Sequence, residues 1–253
     1  IGVTGADADR EILADLCQNL HLSVDFLVPD ASRPTTSKTR ILSQSHHITR
    51  VDYESKKDVD QDIENAVLER FQHIADNIDA VILEDYNKGL LTESIVQNVI
   101  RIAEKNNTPV LVDPKLKGFF SYQNCSVFKP NLSEMASSLG IVLHNNDREI
   151  EDACMLLQEK LNARAVVVTR SEKGMTIYNG KFTHIPATSL EVSDVSGAGD
   201  TVISVLALGS AAGLDIETSA AIANLAAGSV CQEVGAVPVK PDKLLRACQE
   251  YLR

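Results

Sequence analysis

No tract of this chain stays apolar for the roughly 18–20 residues that a membrane-spanning helix takes. The nearest approach, Val202–Leu214, is interrupted by Ser204, Gly209, Ser210 and Gly213 and reads as a buried helix. Cysteine is sparse: the five residues are Cys17, Cys125, Cys154, Cys231 and Cys248, an odd number with no CxxC spacing. That excludes a zinc ribbon or disulfide framework as a working expectation and fits the reducing cytoplasm. Positive charge is short as well. A net charge of -11 would repel nucleic acid and anionic membranes, so neither is expected as a partner. A local basic pocket for a phosphate stays compatible with that total. Internal repeats, low-complexity tracts and a clear interdomain linker are missing. So is a secretory signal pattern, although the chain starts at Ile1 rather than Met and targeting stays open.

What is present is a 253-residue chain with 44 % hydrophobic residues, enough for one large α/β domain or two small ones. Short β-branched stretches at Val24–Val28, Ala80–Leu83, Val110–Val112, Ser126–Phe128 and Ala165–Thr169 read as strands covered on both faces. Helical patterns lie between them at Asp9–Leu20, Asp60–Asp76, Glu93–Asn106, Leu132–Leu139 and Asp147–Leu161. This β-α alternation predicts an open, doubly wound sheet. Thr39–Glu54 holds two short alternating stretches and reads as a polar hairpin set apart from the core, a candidate lid. Asn179-Gly180 predicts a second hairpin at an antiparallel edge, because both turn residues tolerate positive φ. The last third reads as helices over Ala198–Ala212, Ile216–Glu233 and Lys240–Tyr251. Small residues crowd Ala220–Gly228, which fits either tight helix packing or room for a flat ligand.

The chemistry centres on Ser193–Thr201. Gly197 and Gly199 permit backbone shapes closed to other residues. A helix starting here would leave the N–H groups of Gly197, Ala198, Gly199 and Asp200 free to bind an anion. Asp200 on the first turn could accept the proton of an attacking hydroxyl while those N–H groups hold a transferred phosphoryl group. The same residues also fit a plain helix start, with Asp200 favoured by the macrodipole and the glycines making a turn. The stretch is not a Walker A loop, and the chain has no GxGxxG fingerprint.

Asp194-Val-Ser-Gly-Ala-Gly-Asp-Thr201 resembles the C-terminal signature of the ribokinase (PfkB) family of carbohydrate kinases. Lys129-Pro-Asn-Leu-Ser-Glu134 resembles that family's Asn-x-x-Glu motif, Thr169-Arg-Ser-Glu-Lys-Gly174 its nucleotide-site turn, and Ala223-Asn-Leu-Ala-Ala-Gly228 the helix beside the adenine. The resemblance implies a ribokinase-like three-layer αβα sandwich with a mostly parallel sheet and a small β lid. Residues 1–253 would form a single kinase domain, with the lid hairpin over 34–54. It also implies ATP and magnesium as cofactors, potassium as a further one, and a cytoplasmic protein. Asp200 would be the base, with Gly197, Ala198 and Gly199 as the anion hole. Asn131, Thr169, Ser171, Gly174 and Asn224 would line the nucleotide. Asn131 and Glu134 would organise magnesium, largely through water, and Asp194 a monovalent cation.

Four further stretches, Glu84-Asp-Tyr-Asn-Lys-Gly89, Val112-Asp-Pro-Lys115, Pro34-Thr-Thr-Ser-Lys-Thr-Arg40 and Arg50-Val-Asp-Tyr-Glu54, resemble kinases of D-glycero-β-D-manno-heptose 7-phosphate. These phosphorylate the anomeric oxygen in the lipopolysaccharide heptose pathway. A substrate that already bears a phosphate needs cations, and Lys38, Arg40, Lys88 and Lys115 are the candidates, with Asp85 as acceptor for sugar hydroxyls. Each basic residue taken singly also fits a solvated surface charge. The pair His46-His47 reads as surface or lid packing, because neighbours on a strand face opposite sides. Related kinases often dimerise through their lids, which makes a homodimer through the hairpin an expectation.

Family members begin with a Gly-Asp-x-x-x-Asp segment and a Gly-Gly-Ala-x-Asn stretch. Ile1–Asp7 resembles the strand and turn that come after these two, so such a segment is expected before Ile1. No His-x-Gly-His motif occurs, so no nucleotidyltransferase activity is expected of this chain. The alternatives are a kinase of the same fold for fructose, ribose, tagatose phosphate or a nucleoside, and a non-catalytic ligand-binding relative.

Overall fold

The computed structural model describes residues 1–43, 46–188 and 193–251. They fall into two compact units, one built from Ile1–Asp76 and Asn87–Val99, the other from Asn77–Tyr86 and Ile100–Arg253.

In the first unit, β1 (Gly2–Thr4) leads into α1 (Ala8–Asn19), and β2 (Leu27–Pro29) pairs parallel with β1. Asp7 caps α1 by accepting the Arg10 N–H at 3.1 Å, and its other oxygen accepts the Thr35 N–H at 2.8 Å. The strand expected over Val24–Val28 is shorter and later than its composition suggests. Ser23 accepts the Asp25 N–H and turns Val24–Phe26 into a single 3₁₀ turn, so that pairing starts only at Leu27. Next come β3 (Ser37–Ser43) and β4 (His46–Tyr53), an antiparallel two-stranded sheet, and α2 (Gln61–Ile74). The side chains of His46 and His47, and residues 44–45 between the strands, lie outside the described residues. One face of this hairpin carries Lys38, Arg40, Arg50 and Asp52; the other carries Thr39, Ile41, Val51 and Tyr53, as the period of two requires.

The second unit holds β5 (Val81–Glu84), to which α3 (Glu93–Lys105) contributes its last turns, then β6 (Val110–Asp113) and β7 (Val127–Phe128). After these come α4 (Leu132–Leu139), α5 (Asp147–Leu161), β8 (Ala165–Thr169), β9 (Met175–Tyr178), β10 (Phe182–Ile185), α6 (Ala198–Ala211), α7 (Ile216–Cys231) and α8 (Pro241–Tyr251). The sheet order is β10-β9-β8-β7-β6-β5, with β5 to β8 parallel and β9 and β10 antiparallel. Among the described residues, chain order is kept across this sheet.

Both faces of the sheet are covered. Leu111, Val127, Val167 and Ile177 pack on one face with Val202, Ile203 and Leu206 of α6 and with Ala220, Ala223 and Ala226 of α7. Val166 and Val168 point the other way and are equally buried, and α5 packs on β8 and β9. Each buried Val, Leu or Ile among these contributes roughly 1.5–3 kcal/mol by leaving water. α6 and α7 approach so closely that a Cβ on Gly209 would lie 2.3 Å from Ser219 Oγ. The small residues of α7 therefore serve packing on one side, while Asn224, Ala227 and Gly228 open onto a cleft on the other. Among the described residues no helix is long and apolar enough to cross a membrane.

Candidate active site

The parallel register sets Glu84 opposite Asp113 at the ends of β5 and β6. Lys129 comes directly after the end of β7, and Asp200 stands on the first turn of α6. Glu84, Asp113 and Asp200 each place a carboxylate oxygen within 4.8 Å of the others. Lys129 answers part of this charge: its Nζ lies 2.9 Å from Asp113 Oδ2, with both side chains almost fully buried. Burial, with Asp113 and Asp200 adding to it, pushes the Glu84 carboxyl up to about 8. Burial also raises Asp113, against the pull of Lys129. The Tyr86 hydroxyl donates to Asp200 Oδ2 at 3.2 Å, and burial beside this carboxylate raises its pKa. The upward shift favours the neutral form of Glu84 beside the Lys129–Asp113 pair, while Asp200 is exposed to solvent.

The head of α6 is shaped by Gly197, whose φ of 81° is left-handed and whose residue type supplies no capping side chain. The Ala198 N–H donates to the Val195 carbonyl at 3.2 Å, so this amide is not free, contrary to the expectation from sequence. The left-handed turn at Gly197 folds the loop back and brings that carbonyl into reach. Among the described residues no acceptor is bonded to the N–H of Gly197, Gly199 or Asp200. A Cβ on Gly199 would stand 3.6 Å from Asp113 Oδ2 and 3.7 Å from Lys129 Nζ, so the buried ion pair lies close beside Gly199. Asp194 shapes the same loop. Its Oδ1 accepts the N–H and hydroxyl of Ser196 at 2.9 and 2.8 Å, and Oδ2 accepts the Gly235 N–H at 3.0 Å. These donors hold its carboxyl below the usual range. Asp194 is a loop clamp in this structure, with both oxygens engaged.

Asp200, Ala198 and Gly199 line a cleft of about 640 Å³ together with Asn131, Thr169, Ser171, Gly174 and Asn224. Thr169 ends β8 and bridges to Asn131. Ser171 and Gly174 both take positive φ, 53° and 80°, in the turn after that strand. Asn224 donates to the Pro186 carbonyl at 2.8 Å and so pins the opposite wall. Apolar Val195, Val202, Ala227 and Cys231 also line the cleft, alongside the polar residues. Every residue named from sequence for the nucleotide reaches this one cleft.

Comparison with known proteins agrees. A family model described as pfkB family carbohydrate kinase matches residues 1–243. The chain belongs to the pfkB family of carbohydrate kinases. It is 35 % identical over 253 residues to the "Bifunctional protein HldE" of Syntrophotalea carbinolica and 39 % identical over 249 residues to that of Histophilus somni. Each alignment covers 98 % of this chain, which spans about half the length of those relatives, 51 %. Among solved structures, phosphofructokinase-2 from Escherichia coli in complex with potassium superposes with a TM-score of 0.81 at 14 % identity, over 99 % of this chain and 81 % of that one. Arabidopsis thaliana ribokinase complexed with ribose and ATP does so with a TM-score of 0.75 at 19 % identity, over 98 % and 80 %. These last two establish the fold.

The remaining residues named from sequence are less uniform. Asn131 and Glu134 of this pfkB-family chain form a closed capping box: the Asn131 side chain accepts the Glu134 N–H, Glu134 Oε2 accepts the Asn131 N–H, both at 2.9 Å. Lys115 lines the cleft but binds Glu134 Oε1 at 2.6 Å. Asp85 is buried, accepts the Tyr122 hydroxyl at 2.8 Å and is not among the cleft residues. In the first unit, Lys38 and Lys88 share Glu54. Lys38 stands 3.7 Å away and Lys88 bonds directly, which lowers the Glu54 carboxyl. Arg40 faces Arg50 across the hairpin, and Arg50 is answered by Asp52 at 2.8 Å.

Glu84, Tyr86, Asp113, Lys129 and Glu54 were not singled out from sequence. Each sits inside or next to a stretch that carries the family resemblance, at a predicted strand end or hairpin, and that position was the available signal.

Proposed function

We propose that this carbohydrate kinase transfers the γ-phosphoryl group of ATP to the anomeric hydroxyl of D-glycero-β-D-manno-heptose 7-phosphate, with Asp200 as the base. The observation that carries the reading is the head of α6. Asp200 and the unbonded amides of Gly199 and Asp200 share the cleft with Thr169, Ser171, Gly174 and Asn224. A nucleotide in that cleft would bring its terminal phosphate to those amides, where charge developing in the transition state is stabilised. Asp200, held by the Tyr86 hydroxyl, takes the proton of the sugar hydroxyl.

A hard divalent ion such as magnesium would neutralise phosphate charge in this cleft; with Asp113 held by Lys129 and Asp200 kept for the proton, it would be bound chiefly by the phosphates and by water. Asn131 and Glu134 are bonded to each other and Glu134 to Lys115, so their part in holding the ion runs through water. Asp194 serves as the loop clamp, and use of potassium is tested by rates in potassium against tetramethylammonium buffer.

The phosphorylated substrate is supported by the resemblance of residues 34–40, 50–54, 84–89 and 112–115 to heptose 7-phosphate kinases. Arg40 on the charged face of the hairpin is the cation offered to that phosphate, since Arg50 opposite it is already paired with Asp52. The outer hairpin face, with Ile41, Val51 and Tyr53 exposed, is read as a contact with a second copy of the chain.

A kinetic panel on the full protein tests the substrate. Heptose 7-phosphate should give the highest kcat/KM among sugar phosphates and free sugars. Equal activity on unphosphorylated hexoses would reject the phosphate requirement, and no ADP release with any sugar would favour a non-catalytic relative.

A further inference from the structure

The turn after β8 forms one side of the cleft, yet its backbone is an uneasy one. Ser171 adopts a φ of 53°, costly for a residue with a Cβ, and the Arg170 position that caps the turn has no side-chain cap. Gly174 at 80° admits no replacement, since a Cβ there would meet the Ile185 carbonyl at 2.1 Å. Such a turn keeps one shape only when its surroundings impose it.

The surroundings are a polar brace behind the cleft. Asn145 Oδ1 accepts Arg170 Nε at 2.9 Å, while Asn145 Nδ2 donates to the Arg170 carbonyl at 3.1 Å and to Glu172 Oε1 at 3.3 Å. Lys173 Nζ donates to the Asn145 carbonyl. Arg170 Nη1 donates to Asp147 Oδ1 at 2.7 Å and to Thr176 Oγ1 at 2.9 Å, joining the start of α5 to β9. His184 on β10 closes the set, 3.0 Å from Thr176 Oγ1 and 2.9 Å from Glu151.

Stability alone explains this arginine poorly. It is 1 % exposed, its acidic partner Asp147 stays largely in water, and Nη2 is buried without an acceptor among the described residues. An apolar residue would fill such a site at lower cost. What the arginine supplies is direction: one planar group fixes three segments against the turn that carries Ser171, Glu172 and Gly174 into the cleft.

We infer that Arg170 and Asn145 are positioning residues that set the nucleotide-binding turn, so that they govern affinity for ATP and not the chemical step or the sugar. The inference rests on the kinase reading above. Asn145 does not itself line the cleft and reaches it only through Arg170 and Glu172 of the turn, so any effect of its loss on ATP travels through the turn.

Asn145→Ala in the full protein tests it. Loss of its three side-chain hydrogen bonds should raise the Kd and KM for ATP about tenfold. kcat at saturation and KM for the sugar phosphate should hold. Gln158→Ala, which removes a side-chain bond from α5 to the Arg164 carbonyl outside the brace, should leave KM for ATP unmoved. Equal ATP affinity in wild type and Asn145→Ala would overturn the brace alone, as would a parallel rise in both KM values. Wild-type protein that binds no ATP by calorimetry would overturn the kinase reading, and the brace with it.

Discussion

Lys129 and Asp113 form an ion pair of 2.9 Å in which neither side chain is more than 5 % exposed. The pair lies close beside Gly199, where the free amides of α6 begin. Two buried charges compensate each other, but removal of one leaves the other stranded in a medium that solvates it poorly. Lys129→Met should therefore cost about 3–5 kcal/mol, whereas Lys129→Met combined with Asp113→Leu should recover most of that loss. Urea denaturation of the four proteins of the cycle measures the coupling. A single variant as stable as the wild type would show that the pair is not charged in the folded protein.

The neighbouring carboxylate, Asp200, is the proposed base. Asp200→Asn keeps the shape of the side chain and its contact with Tyr86 but cannot accept the hydroxyl proton. Its kcat should fall by about 100-fold or more, the usual worth of a general base, with ATP binding by calorimetry little changed. Retention of more than about a tenth of wild-type kcat would remove Asp200 from that role.

Much of the second unit was legible from local pattern. α4, α5 and β8 have the bounds their sequence predicts, because a run such as Ile150, Ala153, Cys154, Leu157 and Leu161 can bury itself only as a helix. Val24–Phe26 was misread since its apolar content looks strand-like, while a single Ser23 hydroxyl decides for a turn. The residues that line the cleft were legible because the resemblance lies in contiguous stretches. The cluster of Glu84, Asp113, Lys129 and Asp200 was not: the residues come from four distant segments and meet only through parallel register, Glu84 against Asp113. Nor could sequence show that the Ala198 amide is taken by Val195, a consequence of the backbone turn at Gly197.

The hairpin of β3 and β4 has a charged face and an exposed apolar one. Ile41, Val51 and Tyr53 on the latter are 45 %, 55 % and 64 % exposed, an arrangement suited to a second copy. Val51→Lys should convert the full protein from dimer to monomer in sedimentation velocity, with its circular dichroism spectrum unchanged. A wild-type protein that is monomeric at micromolar concentration would dispose of the lid contact.

The Glu84 carboxyl makes stability depend on pH in a direction opposite to that of most paired acids. Its value of about 8 in the folded protein lies above the ordinary 4.5, chiefly from burial and then from Asp113 and Asp200. Between those two values the folded protein holds a proton that the unfolded chain has released, so stability falls as pH rises across the window and levels off above it. In metal-free buffer the urea midpoint of the wild type should decline from about pH 5 to about pH 8. Glu84→Gln, which keeps the size and removes the titration, should flatten that part of the profile and be the more stable protein at the alkaline end. A profile shared by both proteins would mean that Glu84 is ionised across the whole range and that the charge of the cluster is balanced elsewhere.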